Sequence, residues 1–212
     1  MKVAIVSGGQ APSKEFLQQY RDWYIIAADS GVHCLLEAGI DPQQVIGDLD
    51  SIDSQDLKIL EDKGIKIKSF PKEKDETDTH LCLLEAIRLQ AESIHILACF
   101  GRRFDQTLAH LALLEIAHDY KITCSLVDQE NKVEFLSPGK YQVSKDGYQY
   151  LSLVPVTESI TVSLYHMKYP LERENLYRKK SQGISNEILD QEGTIKLHKG
   201  KAYLIHSNDK KR

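Results

Sequence analysis

The chain has 212 residues, 42% hydrophobic and 27% charged, with a formal net charge of -4. That length suits one large domain or two modest ones with real cores, and the composition excludes a disordered chain or a disulfide scaffold. No apolar run approaches the roughly 18 residues of a membrane span, no signal-peptide pattern precedes Val3-Ala4-Ile5-Val6, and the only basic clusters are Arg178-Lys179-Lys180 and Lys210-Lys211-Arg212, so the expectation is a cytoplasmic protein with no membrane or nucleic-acid partner.

In chain order, short apolar runs at 3–6, 24–28, 45–46, 65–67, 94–98 and 122–127 alternate with segments of helical period. This is βαβ grammar and predicts an α/β fold, a mostly parallel sheet with flanking helices. One helix is predicted to follow Asp78, with Leu81, Leu84, Ala86 and Ile87 as its apolar stripe. The clearest helix is predicted to start at Asp105 as N-cap and to carry Leu108, Leu111, Ala112 and Ile116 at spacings of three or four. Cys34, Cys82, Cys99 and Cys124 stand singly in apolar stretches without ligand spacing and read as buried free thiols.

After Asp128 the period shortens to two and turns crowd together at Ser137-Pro138-Gly139, Lys145-Asp146-Gly147, Gln191-Glu192-Gly193 and Lys199-Gly200. Short antiparallel strands are predicted, as a sandwich or barrel. Charge divides at the same place: residues 1–130 hold 13 Lys+Arg against 22 Asp+Glu, a balance of -9, while 131–212 hold 14 against 9, a balance of +5. Two domains of different class, 1–130 and 131–212, are expected.

Carboxylates recur just after the predicted strands, in Ala28-Asp29-Ser30-Gly31, Gly47-Asp48-Leu49-Asp50-Ser51 and at Asp105, with a further set in Lys74-Asp75-Glu76-Thr77-Asp78. Ligands of open α/β sheets bind at the strands' carboxyl ends, so these segments are expected to face one crevice. Clustered carboxylates raise one another's pKa unless a cation intervenes. Oxygen-only ligation points to Mg2+ or Mn2+, and Mg2+ commonly shares its shell with substrate phosphates. Asp29 alone reads equally as a cap or a functional residue, and Asp53 and Asp56 read as helix-start residues. Asp48 and Asp50, flanking Leu49 after a buried run, have no folding benefit and read as functional. Ser7-Gly8-Gly9 follows a strand but matches neither GxxxxGK[ST] nor GxGxxG, so a nucleotide would rely on carboxylate-bound metal, helix-start N–H groups and cations such as Lys72, Lys74, Arg102 and Arg103.

These segments, with Gly101-Arg102-Arg103-Phe104-Asp105-Gln106 and Gly183-Ile184-Ser185-Asn186-Glu187, occur in an order that resembles the thiamine pyrophosphokinase family over essentially the whole chain. The resemblance implies an α/β domain that binds ATP and Mg2+, an antiparallel β-sandwich for thiamine binding and dimerisation, and a homodimer with thiamine sites at the junction between subunits. It implies that diphosphate passes from ATP to the hydroxyethyl group of thiamine, with AMP released. Metal ligands would map onto Asp48, Asp50 and Asp78. The nucleotide and phosphate site would take in Asp29, Lys74, Thr77, Arg103 and Asp105, and thiamine would meet Ser185 and Asn186. Gln106 stands where bacterial members often carry histidine, which excludes a titrating side chain there. A pyrophosphokinase for another heterocyclic alcohol, such as a pterin, is the nearest alternative.

Overall fold

The computed structural model describes residues 1–71, 73–101 and 103–209. Lys72 and Arg102, expected among the phosphate-facing cations, lie outside the described residues, as does the basic stretch Lys210-Lys211-Arg212. The chain divides into two compact units, Met1–Gln129 and Glu130–Arg212.

The first unit runs β1 (Lys2–Val6), α1 (Lys14–Gln18), β2 (Tyr24–Ala28), α2 (Gly31–Glu37), β3 (Gln44–Gly47), α3 (Ser54–Asp62), β4 (Lys66–Ser69), α4 (Asp78–Arg88), β5 (Ser93–Leu97), α5 (Phe104–Asp119) and β6 (Thr123–Val127). Its strands pair in parallel in the order β4-β3-β2-β1-β5-β6. Strands β1, β2 and β3 are buried nearly end to end, as expected of a parallel sheet covered on both faces. Successive strands step one way from β1 to β4, and β5 returns to the other side of β1. The topological switch point therefore lies between β1 and β5, where the loops at the strands' carboxyl ends diverge and leave a crevice.

Helices α4 and α5 exist where periodicity predicts them, but their buried faces are rotated from the expected stripes. In α4 the expected Ala86 is buried, but its companions are Cys82 and Leu83, and in α5 His110, Leu113, Leu114 and Ala117 are buried, whereas Leu84 and Leu108 are exposed. The sequence of α5 is apolar around most of its circumference, so its period offers two stripes and only packing selects one. The start of α5 also differs. Its N-cap is Arg103, without a side-chain capping bond, and Asp105 sits inside the first turn, where it accepts a hydrogen bond from the Gln106 N–H at 2.9 Å. A carboxylate there still complements the positive end of the helix dipole. Thr77 caps α4 by accepting from His80 N–H, and Asp53 caps α3 through Gln55 N–H.

The second unit contains β7 (Asn131–Leu136), β8 (Gly139–Ser144), β9 (Tyr150–Pro155), β10 (Ser159–Tyr165), β11 (Leu171–Tyr177), β12 (Glu192–Lys199) and β13 (Ala202–Ser207). They pair antiparallel in two sets, β7-β13-β9 and β11-β10-β12-β8. Leu153 and Leu204 from the first set and Ile160, Val162, Leu176 and Ile195 from the second share one core, the arrangement of a sandwich. The turn expected at Gln191-Glu192-Gly193 is instead the start of β12, with Gly193 opposite Val143. A Cβ at Gly193 would stand 3.0 Å from Met167 Cε, so the glycine serves close packing within a strand rather than a turn. All four cysteines are buried and outside any disulfide, and among the described residues no helix is long and apolar enough to cross a membrane.

Candidate active site

The crevice of the first unit opens into a cavity of about 630 Å³ whose lining includes Asp29, Asp48, Lys74, Thr77, Asp78 and Arg103. Its walls are held by unusual backbone. Asp29 (φ 44), Leu49 (φ 68) and Ala98 (φ 51) adopt left-handed conformations just after β2, β3 and β5. For non-glycine residues such conformations are uncommon and cluster at functional sites. The loop after β1 is zipped to the loop after β5, with the Ser7 N–H donating to Leu97 O at 2.9 Å and the Gly9 N–H to Ala98 O at 2.8 Å. A Cβ at Gly9 would fall 2.2 Å from Ala98 O, which explains the glycine by backbone approach rather than by a phosphate fingerprint.

The left-handed turn at Leu49 brings the carboxylates around it to one place. The Asp50 N–H donates to Asp48 Oδ1 at 3.1 Å, and oxygens of Asp29, Asp48 and Asp50 lie within 4.8 Å of one another. Asp29 is buried, and its Oδ1 is sealed from solvent with no hydrogen-bond partner among the described residues. Burial pushes the Asp29 pKa above the ordinary carboxylate value, and the negative charges of Asp78 and Asp48 push the same way against the hydroxyl of Ser51. Asp78, expected as the third metal ligand, lines the same cavity, but its Oδ1 stands 2.8 Å from Lys74 Nζ. The carboxylate that converges with Asp48 and Asp50 is Asp29.

Arg103 and Asp105 form a forked ion pair at the exposed start of α5, with Nε to Oδ1 at 3.1 Å and Nη2 to Oδ2 at 2.5 Å. The guanidinium holds the Asp105 pKa below its ordinary value, and the carboxylate in turn orients the arginine at the cavity wall. Thr77 spends its oxygen on capping α4.

Ser185 and Asn186 belong to the second unit. Ser185 is exposed with φ 58, and its N–H donates to Ser152 Oγ at 2.9 Å. Asn186 is buried and fully engaged: Oδ1 accepts from Tyr169 N–H and Glu187 N–H, each at 2.9 Å, while Nδ2 donates to Tyr169 O at 2.9 Å.

Ser7, in the segment that matches no phosphate-loop pattern, lines the cavity, as do Thr79 and His110, which carry no signal in the sequence. The Ser7 and Thr79 hydroxyls meet at 2.8 Å across 72 residues of chain, a juxtaposition with no local signal.

Residues 17–126 match the family model described as the thiamin pyrophosphokinase catalytic domain, and residues 140–202 match the thiamin pyrophosphokinase vitamin B1 binding domain. A curated relative, the thiamine pyrophosphokinase of Bacillus subtilis (strain 168), is 33% identical over 211 residues, covering 98% of this chain and 99% of the relative. The crystal structure of thiamine pyrophosphokinase from Bacillus subtilis superposes with a TM-score of 0.91 at 32% identity, over 99% of this chain and 100% of that one. That of Geobacillus thermodenitrificans gives 0.88 at 31% identity, over 99% and 98% of the two chains. The Candida albicans structure, at 18% identity and a TM-score of 0.84 over 98% of this chain and 90% of that one, shares the fold. By its catalytic-domain match and its full-length likeness to the Bacillus subtilis protein, the chain belongs to the thiamin pyrophosphokinase family.

Proposed function

We propose that this chain transfers the terminal diphosphate of ATP to the hydroxyethyl oxygen of thiamine, giving thiamine diphosphate and AMP. The observation that carries the reading is the convergence of Asp29, Asp48 and Asp50 beside Arg103, in a chain of this family. The family models and the curated relative name thiamin rather than a pterin as the substrate class.

The donor set fits a divalent cation. Three carboxylate oxygens lie close enough to share one ion, all donors are oxygen as Mg2+ prefers, and the sealed Asp29 Oδ1 has no hydrogen-bond partner among the described residues to offset its desolvation. Asp29, Asp48 and Asp50 would hold the ion, with Asp78, the other expected ligand, lining the same cavity beside Lys74. When bound, Mg2+ supplies positive charge that neutralises and orients phosphate oxygens.

The protein's own groups then do the positioning. Arg103, steadied by Asp105, retains guanidinium N–H groups for a phosphate oxygen, and Lys74 adds a second cation beside Asp78. The thiamine oxygen attacks the β-phosphorus in line, its hydroxyl proton is released to solvent, and AMP departs with the electron pair of the broken P–O bond, so that alignment and charge stabilisation dominate the rate. The exposed Ser185 hydroxyl is assigned to thiamine, with Asn186 bracing the segment that carries it.

A homodimer is proposed from the family likeness and from Leu84, Phe104 and Leu108, large apolar side chains exposed on α4 and α5. A cytoplasmic location is proposed from the sequence.

The test is to incubate the protein with ATP, Mg2+ and thiamine and to quantify thiamine diphosphate and AMP. Equal amounts of both, absent without thiamine, are expected. AMP or inorganic phosphate released at the same rate without thiamine would overturn the assignment.

A further inference from the structure

His110 lies on the buried face of α5, one turn beyond Gln106, and both side chains line the cavity. The imidazole is only 3% exposed, and its Nδ1 is 2.8 Å from the Cys99 carbonyl oxygen. A carbonyl oxygen can only accept, so Nδ1 carries the hydrogen and Nε2 is left with a free lone pair. Among the described residues Nε2 has no hydrogen-bond partner. The residue that carries this lone pair lines the cavity.

What such a nitrogen recognises follows from its chemistry. Burial holds the ring below the ordinary histidine pKa, against the opposing pull of the Cys99 carbonyl, and so keeps it neutral. A neutral lone pair repels phosphate oxygens, which are acceptors themselves, and selects an O–H or N–H donor. The donors of ATP sit on its adenosine end, beyond the α-phosphate from the reacting phosphorus. Thiamine carries an O–H on the reacting oxygen itself, and His110 shares its cavity with the phosphate-side groups Asp48, Asp78 and Arg103. The geometry points to His110 as the positioning residue for the acceptor alcohol, its Nε2 accepting the hydrogen bond of the hydroxyethyl hydroxyl and turning an oxygen lone pair towards phosphorus. This inference rests on the transferase reading above.

Steady-state kinetics of H110N and H110Q test it. Asparagine can still donate to the Cys99 carbonyl but lacks an acceptor at the position of Nε2, whereas glutamine can place its Oε1 there. H110N is expected to lower kcat/KM for thiamine about tenfold, the loss of one buried hydrogen bond, with KM for ATP within about twofold of wild type and recovery in H110Q. An unchanged kcat/KM for thiamine in H110N, or an equal loss towards ATP, overturns the proposal. Should either variant fail to fold, the 15N resonance of Nε2 in the wild-type protein decides. It should move upfield when thiamine is added to the complex with Mg2+ and a non-hydrolysable ATP analogue, and a resonance that does not respond overturns the proposal. Failure of the transferase reading is separately visible as wild-type turnover that ignores thiamine.

Discussion

Two buried polar side chains, Asp29 in the first unit and Asn186 in the second, meet opposite surroundings. Asn186 makes three hydrogen bonds of 2.9 Å to backbone groups and joins its segment to Tyr169. Asp29 leaves one carboxylate oxygen sealed and, among the described residues, unpaired, in a left-handed backbone conformation, with the like charges of Asp48 and Asp78 nearby. A satisfied buried amide stabilises a fold, while a buried carboxylate short of partners destabilises it unless a ligand completes it. The difference separates a residue that holds a loop from one that the described residues leave short of partners.

The largest effect that would break this contrast is on turnover. Asp50→Asn removes one charge from the converging set without changing its shape, and kcat should fall at least about a hundredfold while the unfolding midpoint stays near wild type. Near-normal AMP formation in that variant would remove the cation from the account. Next comes stability in the second unit. Asn186→Ala strands two N–H groups and a carbonyl, which should cost about 2–4 kcal/mol in urea unfolding. Ser185→Ala, at an exposed hydroxyl, should leave stability unchanged and weaken thiamine binding in calorimetry.

A smaller effect sharpens the comparison within the first unit, because Glu85 is also a buried carboxylate but is fully paired. Arg88 binds it through Nε at 2.9 Å and Nη2 at 2.8 Å, Lys68 stands 3.4 Å away, and these partners hold its pKa down to about 2. A depressed carboxylate contributes stability above its unfolded pKa and loses it as pH falls through the folded value. The loss should therefore run from about pH 4.5 to about pH 2. Both cations reach into solvent, so the contribution is on the order of 1–2 kcal/mol. Thermal midpoints of wild type and Glu85→Gln should converge across that window, and parallel curves would show that the pair contributes nothing.

The fold was largely legible because its signals are local. Six apolar runs became the six strands of the first unit, and the change to period two marked the antiparallel strands of the second. Asp48 and Asp50 stood out because a pair of carboxylates around Leu49 serves no turn that a single aspartate would not. What escaped depends on packing. The buried stripe of α5 was hidden by a helix apolar on several sides, and His110 was hidden with it. Asp29 could not be told from a cap until the order of β1, β2 and β3 set it beside Asp48, and the Ser7–Thr79 contact depends on a crossover that no window of sequence contains.

The central claim, that the first unit leaves Asp29 unsatisfied for a divalent cation, is tested most directly by titrating Mg2+ into wild type and Asp29→Asn without substrates and following the thermal midpoint. Asp29→Asn should start at or above the wild-type midpoint because it removes a desolvated, repelled charge. Mg2+ should then raise the wild-type midpoint in proportion to ligand binding and leave the variant nearly unmoved. Equal Mg2+ shifts in the two proteins, or a variant that begins well below wild type, would contradict the account.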